Sequence, residues 1–284
     1  MTPSMSYASL HVTGTERITP RMVRITLGGE DLAGFTPVAP DQQVKLFFPR
    51  PGHVRPVVPE MPVDGDVMTW YQAYMAVPEP ERPWMRSYTI RRYHPDRREI
   101  EIDFVLHGAD GGHGPASRWV ARARPGDHVG MYGPSVSHFR VAGAHDWRLL
   151  AGDETALPAI GALLEALAPG TRAVVYVEVA DTAEEQELES EGDVEIHWLH
   201  RGGMTPGHSS VLLDAVRAAE LPDGVPFAWI AGEASTVRAL RRHLVGERGL
   251  DKKQIAFTGY WRLNLTQDDQ PTAEDTAEQA EAMA

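Results

Sequence analysis

Arg86-Ser87-Tyr88-Thr89-Ile90-Arg91 opens a strand-like run in which Arg86, Tyr88 and Ile90 fall on one face. A guanidinium forks onto a phosphate, and an aromatic ring beside it stacks on a flat cofactor. Thr89 adds a hydroxyl and a backbone N–H. An ordinary charged, exposed strand carries the same residue types, so this segment alone decides nothing. Next come His107-Gly108 and the run Gly111 to Trp119, where a Gly-rich turn leads into a short helix over Ala116 to Ala121. Backbone N–H groups at such a turn and the dipole of the helix favour a pyrophosphate, and Ser117 can add its hydroxyl. A plain loop with a helix start reads equally well.

Two further segments lie at strand ends in the second half. Gly152-Asp153-Glu154-Thr155-Ala156-Leu157-Pro158-Ala159 follows one strand and opens a helix, the position at which doubly wound sheets bind nucleotides. It lacks the G-x-G-x-x-G pattern, and an acidic N-cap with Pro in the first turn accounts for it as well. Ala231-Gly232-Glu233 repeats the arrangement, with Arg238, Arg241 and Arg242 following as a basic helix face exposed to solvent. Gly259-Tyr260-Trp261-Arg262 ends the last strand, where aromatic packing is the simplest reading.

The elements that must position these segments divide the chain in two. Up to about residue 140 the pattern has period two: Leu10 and Val12; Val23, Ile25 and Leu27; Val44, Leu46 and Phe48; Ile100, Ile102, Phe104 and Leu106, with Glu99, Glu101 and Asp103 on the opposite face. Short strands separated by Gly and Pro predict an antiparallel barrel or sandwich. The Pro-rich stretch Val57 to Pro83 is weakly periodic and reads as an excursion between strands. From residue 146 the pattern alternates. Strands are predicted at Trp147 to Ala151, Ala173 to Val179, Val194 to Leu199, Phe227 to Ala231 and Gln254 to Tyr260. Helices are predicted at Ala156 to Leu167, Val211 to Val216 and Val237 to Val245. That alternation predicts a parallel sheet covered by helices. The expected domains are 1–140, a β-barrel, and 146–266, an α/β nucleotide-binding unit, with 267–284 as an acidic, disordered tail. A β domain followed by an α/β domain is the layout of ferredoxin-reductase-like flavoenzymes, but fold alone does not give function.

Composition removes several classes. The chain has no Cys, so disulfides, thiolate metal sites and Cys nucleophiles are excluded. No apolar run reaches the length of a membrane span, and residues 1 to 10 do not read as a signal peptide, which predicts a cytoplasmic protein without membrane insertion. A formal charge of −13 opposes nucleic-acid binding. Six acidic residues and no Lys or Arg fall in 267–284. The 12 His show no H-x-x-x-H pair on a helical pattern, and no metal site is expected.

Taken in order, R-x-Y-T (Arg86, Tyr88, Thr89), H-G…G-P-A-S-R-W (His107 to Trp119), G-D-E-T-A-L-P-A (Gly152 to Ala159), A-G-E (Ala231 to Glu233) and G-Y-W-R (Gly259 to Arg262) resemble the siderophore-interacting protein family. Its members include NAD(P)H-dependent ferric siderophore reductases. The resemblance spans about residues 7 to 265 and implies an FAD-binding β-barrel followed by an NAD(P)H-binding α/β domain. It implies that Arg86, Tyr88 and Thr89 hold the flavin, with Tyr88 stacked on the isoalloxazine. Asp103, His107, Gly114, Ala116 and Ser117 join the cofactor set, the last four around the ribityl and pyrophosphate. Asp153, Thr155 and Ala156 fall where the second domain meets FAD or the nicotinamide, and Trp261 falls near the flavin.

The implied reaction is reduction of a ferric siderophore to the ferrous state, which releases iron. A nicotinamide gives two electrons at once, ferric iron takes one, and a flavin handles both. No catalytic acid or base is named. Ferric siderophores are often anionic, so an acidic protein needs local cations for them. Lys45, Arg118 and Arg262 are the candidates, with Arg50 and Arg55 behind them. Glu178 and Asp181 argue for NADH, Arg201 for NADPH, and a ferredoxin is a third donor. Two departures from the family pattern stand out: Leu263-Asn264-Leu265 replaces a basic residue and a Gly, and the loop Gly111 to Gly114 is extended by His113. The competing functions are a general flavin oxidoreductase on the same fold and a non-catalytic siderophore-binding protein. Oligomeric state is not legible.

Overall fold

A computed structural model describes residues 6–62, 65–106, 114–134 and 144–265. His107, the Gly111 to His113 segment and the 267–284 tail lie outside the described residues. The chain divides into two compact units, Met1–Ser137 and His138–Ala284.

The first unit is an antiparallel sheet built from β1 (Ser6–Thr19), β2 (Met22–Gly28), β3 (Gln43–Phe48), β4 (Trp84–Thr89), β5 (Arg92–His94), β6 (Glu99–Val105) and β7 (His128–Gly133). The strand order is β4-β3-β7-β1-β2-β6-β5. Its two outer strands belong to one stretch of chain. Ile90 donates its N–H to Gln42 at 3.1 Å on one side, and Arg91 donates to Glu101 at 2.8 Å on the other. The segment from Trp84 to His94 therefore pairs with β3 and then with β6. That closes the sheet into a barrel and leaves neither of those edges open. Alternation sends Leu10, Val12, Ile25, Leu27, Val44, Leu46, Phe48, Ile100, Ile102 and Phe104 into one core.

The stretch Val57 to Pro83 is not merely an excursion. It contains α1 (Val67–Ala76), capped by Asp66, whose carboxylate accepts from the N–H groups of Met68 and Thr69. Trp70 and Tyr74 hold this helix against the outer wall of the barrel. The Trp70 ring stacks on Tyr132 at 5.1 Å, Phe47 packs edge-on to both α1 rings, and Trp70 Nε1 donates to Pro59 at 2.9 Å. The sequence pattern misses α1 because the helix has no charged residue. Trp70 and Tyr74 face inward while Met68, Tyr71 and Met75 face out, so no apolar stripe stands apart from a polar one.

The second unit is a five-stranded parallel sheet, β10-β9-β8-β11-β12. The strands are β8 (Trp147–Asp153), β9 (Arg172–Val179), β10 (Asp193–His200), β11 (Pro226–Glu233) and β12 (Ile255–Trp261). The helices are α3 (Leu157–Glu165), α4 (Val211–Ala218) and α5 (Ala234–Gly246), while α2 (Pro115–Val120) belongs to the first unit. β8, β9 and β11 are buried along nearly their whole length, which is why they read as continuous apolar runs. No helix among the described residues is long and apolar enough to cross a membrane. Beyond β12, Asn264 has φ +62° in a turn closed by a bridge between Arg262 and Leu265. Asn is one of the few residues that enter this left-handed region readily.

Candidate functional site

On the barrel, the candidate flavin residues lie on the closing segment. Register sets Tyr88 opposite Val44 and Arg86 opposite Leu46, so both share the face of core residues. The Tyr88 ring packs 4.4 Å from Phe104 and edge-on to Phe48 at 6.3 Å, and burial raises its hydroxyl pKa. Thr89 is buried, whereas Arg86, Ser87 and Tyr88 are half-buried. Arg86 Nη1 donates to the Met85 carbonyl at 2.7 Å. Asp103 accepts from Arg24 through both oxygens, at 2.6 and 2.8 Å. A network of Arg24, Glu101 and His94 continues from it along the strands.

Gly114 leads directly into α2. Gly114 has φ +100°, and an added Cβ would meet nothing within 4 Å. Arg118 donates the first helical bond of α2 back to Gly114 at 3.2 Å. The N–H groups of Ala116 and Ser117 thus precede any intrahelical bond. A dinucleotide with a flat ring system and a pyrophosphate fits this donor set.

Among the candidate substrate cations, Lys45 is unusual. It stands opposite Ser87 and Tyr132 on its neighbouring strands, and its Nζ donates to the Ser87 hydroxyl at 2.6 Å. Burial lowers its pKa. Arg118 is exposed, and Arg262 is half-buried in the other unit. Arg50 is committed to structure: it donates to the Arg82 and Glu79 carbonyls and lies 4.3 Å over the Trp84 ring.

In the second unit, one carboxylate ties three motifs together. Asp153 Oδ1 accepts from the Thr155 N–H at 2.8 Å and the Thr155 hydroxyl at 2.5 Å. Its Oδ2 accepts from the Glu233 N–H at 2.9 Å and from Trp261 Nε1 at 2.8 Å. The acidic N-cap reading of this segment is therefore corrected. The residue preceding α3 is Ala156, with no side-chain cap, and Asp153 instead closes a tight turn and reaches β11 and β12. This packing requires glycine: a Cβ on Gly152 would sit 2.5 Å from Ala156 Cβ and 2.6 Å from the Ala231 oxygen. A Cβ on Gly232 would sit 2.7 Å from Asp153 Oδ2. Glu233 caps α5 through the Thr236 N–H at 3.0 Å. On α5 the basic face is not wholly free, because Arg241 lies 4.4 Å over the Phe257 ring.

Beside Asp153, the sequence pattern missed a buried ion pair. Both Nη atoms of Arg201 bond the two oxygens of Glu154, Nη2 at 2.7 Å. Burial, together with the Asp153 charge, pushes the Glu154 carboxyl up to about 7 in spite of Arg201. Burial also raises Glu178 at the end of β9. Among the described residues no group of His, Asp or Glu is arranged to hold a metal ion.

Comparison with known proteins agrees with this anatomy. Residues 11–138 match the siderophore-interacting FAD-binding domain, and residues 145–264 match the siderophore-interacting protein domain. The chain is 34% identical to the NADPH-dependent ferric-chelate reductase of Escherichia coli, covering 90% of this chain and 93% of that protein. It is 31% identical to the ferric vibriobactin reductase ViuB of Vibrio cholerae, over 86% and 85% of the two chains. The crystal structure of a siderophore utilization protein from T. fusca superposes with TM-score 0.78 at 38% identity, covering 93% and 95%. A ferredoxin NADP+ reductase from Neisseria gonorrhoeae, 11% identical with TM-score 0.54 and covering 90% and 99%, shares the fold alone. With both family domains matched in order across its two units, this chain belongs to the siderophore-interacting protein family.

Proposed function

We propose that this protein is an FAD-dependent reductase that uses a reduced nicotinamide to convert ferric siderophores to the ferrous state in the cytoplasm. The observation that carries the reading is that the Arg86-Tyr88-Thr89 segment and Gly114, at the start of α2, lie in one barrel unit, within a stretch that matches an FAD-binding domain. We assign residues 1–140 to FAD and residues 146–266 to the nicotinamide nucleotide, with 267–284 as a tail.

When bound, the flavin supplies the exchange between a two-electron donor and one-electron ferric iron. The chain supplies position. Arg86 and the N–H groups of Ala116 and Ser117 offer donors to phosphates. Tyr88, fixed by Phe48 and Phe104, and the buried Thr89 set the ring plane. His107 joins this set, and Asp103 serves through Arg24 by fixing β6 against β2. Asp153, Thr155, Ala156 and Trp261 shape the nucleotide edge. Ferrous iron is held less tightly than ferric iron by hard oxygen ligands, so reduction is release. Lys45, Arg118 and Arg262 attract the anionic chelate. Lys45 contributes most, because its ammonium meets the neutral Ser87 hydroxyl.

The test begins with the visible spectrum of the purified protein and identification of any released pigment. Bound FAD, with ferrous iron captured when a ferric siderophore and a nicotinamide are added, is expected. Failure to take up added FAD sinks the proposal. Lys45→Glu should raise the KM for an anionic ferric siderophore about tenfold, with KM for a neutral ferric chelate much less affected.

A further inference from the structure

Cations at the end of the second sheet strand decide whether a dinucleotide carrying a 2'-phosphate is accepted. Counted from the first strand of this sheet, β8, the second is β9, and its neighbour β10 ends beside it. The Arg201 guanidinium and the His200 imidazole stand there. Both are already engaged by carboxylates. Arg201 is 3% exposed, and both its terminal nitrogens bond Glu154. Its main chain is fixed as well, since its N–H donates to Val179 at 3.0 Å. His200 Nε2 lies 2.7 Å from Glu185 Oε1. On the β9 side, Asp181 caps the turn Thr182–Glu184 through the Ala183 N–H at 2.9 Å, and Glu178 is buried one residue before the strand end. A carboxylate at this place accepts from a ribose 2'-hydroxyl and repels a 2'-phosphate.

We infer that the second unit is built for a dinucleotide with a free ribose 2'-hydroxyl, NADH, and that Glu154 and Glu185 set this preference by sequestering Arg201 and His200. The inference rests on the nicotinamide-dependent reductase reading above and narrows its donor. It is opposite to the preference in the name of the Escherichia coli relative. Mechanistically, the two Glu residues act through the side chains they hold, so they are positioning residues rather than catalytic ones.

The test uses the full-length, FAD-loaded protein. Calorimetric titration with 5'-AMP and with 2',5'-ADP reads the discrimination without turnover, and anaerobic flavin bleaching by NADH and NADPH reads it with electrons. AMP and NADH should be favoured at least about tenfold, a ratio worth about 1.4 kcal/mol. Glu185→Gln, at a half-exposed position, should narrow the ratio several-fold by releasing His200. Glu154→Gln should narrow it further where the variant folds. Equal or tighter binding of 2',5'-ADP by the unaltered protein overturns the inference. So does absence of binding by either nucleotide while dithionite-reduced protein still reduces a ferric siderophore, a result that leaves the reductase standing on another donor. Selective AMP binding by a protein whose reduced form passes nothing to ferric siderophore does the reverse: the nucleotide preference holds and the reductase reading falls.

Discussion

Asp153→Asn exchanges one oxygen for an NH2 group and strands two donors. In the native protein four donors converge on the carboxylate: the Thr155 N–H and hydroxyl on Oδ1, and the Glu233 N–H and Trp261 Nε1–H on Oδ2. A carboxamide keeps one oxygen. Whichever way it flips, its NH2 faces two donors. Hydrogen bonds to a charged acceptor are worth about 1.5–3 kcal/mol each, so losing two costs about 3–6 kcal/mol. Part returns, because Asp153 raises the carboxyl pKa of both Glu154 and Glu178, and removing its charge relieves that repulsion. A net loss of about 2–4 kcal/mol remains. Urea unfolding of the full chain reads the total. Hydrogen exchange at the Glu233 N–H reads the local effect, which should be faster when the amide side of the Asn faces it. A midpoint equivalent to less than about 0.5 kcal/mol, with Thr155 and Glu233 both still protected, would refute the claim that this carboxylate ties the strand ends together.

Other perturbations have equally definite signs. Gly152→Ala drives a methyl into the Ala231 carbonyl and Ala156, and should cost about 3 kcal/mol in thermal or urea unfolding. Trp70→Ala removes the ring stacked on Tyr132 and the bond to Pro59, and should destabilise the barrel by about 3–5 kcal/mol. Stability should also fall as pH rises from about 4.5 to about 7, because folded Glu154 retains a proton that the unfolded chain has lost; above about 7 both are ionised and the slope ends. The change is on the order of 1–3 kcal/mol. Glu178 shifts in the same direction, and Glu154→Gln should flatten the slope, as measured by melting at about pH 5 and about pH 8.

The two-part layout was legible because its periods differ. Ile100, Ile102 and Phe104 alternate with Glu99, Glu101 and Asp103, whereas Ala173 to Val179 is apolar on both faces. The ordered motifs also identified the family. What escaped was of two kinds. β5 has three residues, too few for a period, and α1 is apolar both toward the barrel and toward solvent. The remainder depended on distance along the chain. Asp153 reads locally as a helix cap, yet two of its four donors lie 80 and 108 positions away. Arg201 reads as a cation available to a phosphate, yet its partner Glu154 is 47 positions distant, just past β8, two strands away from β10. Period and propensity report what a residue does near itself. They carry no signal of which carboxylate will arrive from another strand.

The place of β7 bears on the birth of the molecule. It is the last strand of the barrel to be synthesised, yet it lies between β1 and β3, two of the earliest. Until residues 128–133 emerge from the ribosome, β1 and β3 each show an unsatisfied edge, and the Ala8, Leu10 and Val12 side of β1 lacks its cover from Val129 and Met131. Such edges recruit other strands. A chain stalled or cleaved before β7 is therefore an aggregation hazard rather than a smaller barrel, and synthesis passes through its most vulnerable interval just before the second unit begins.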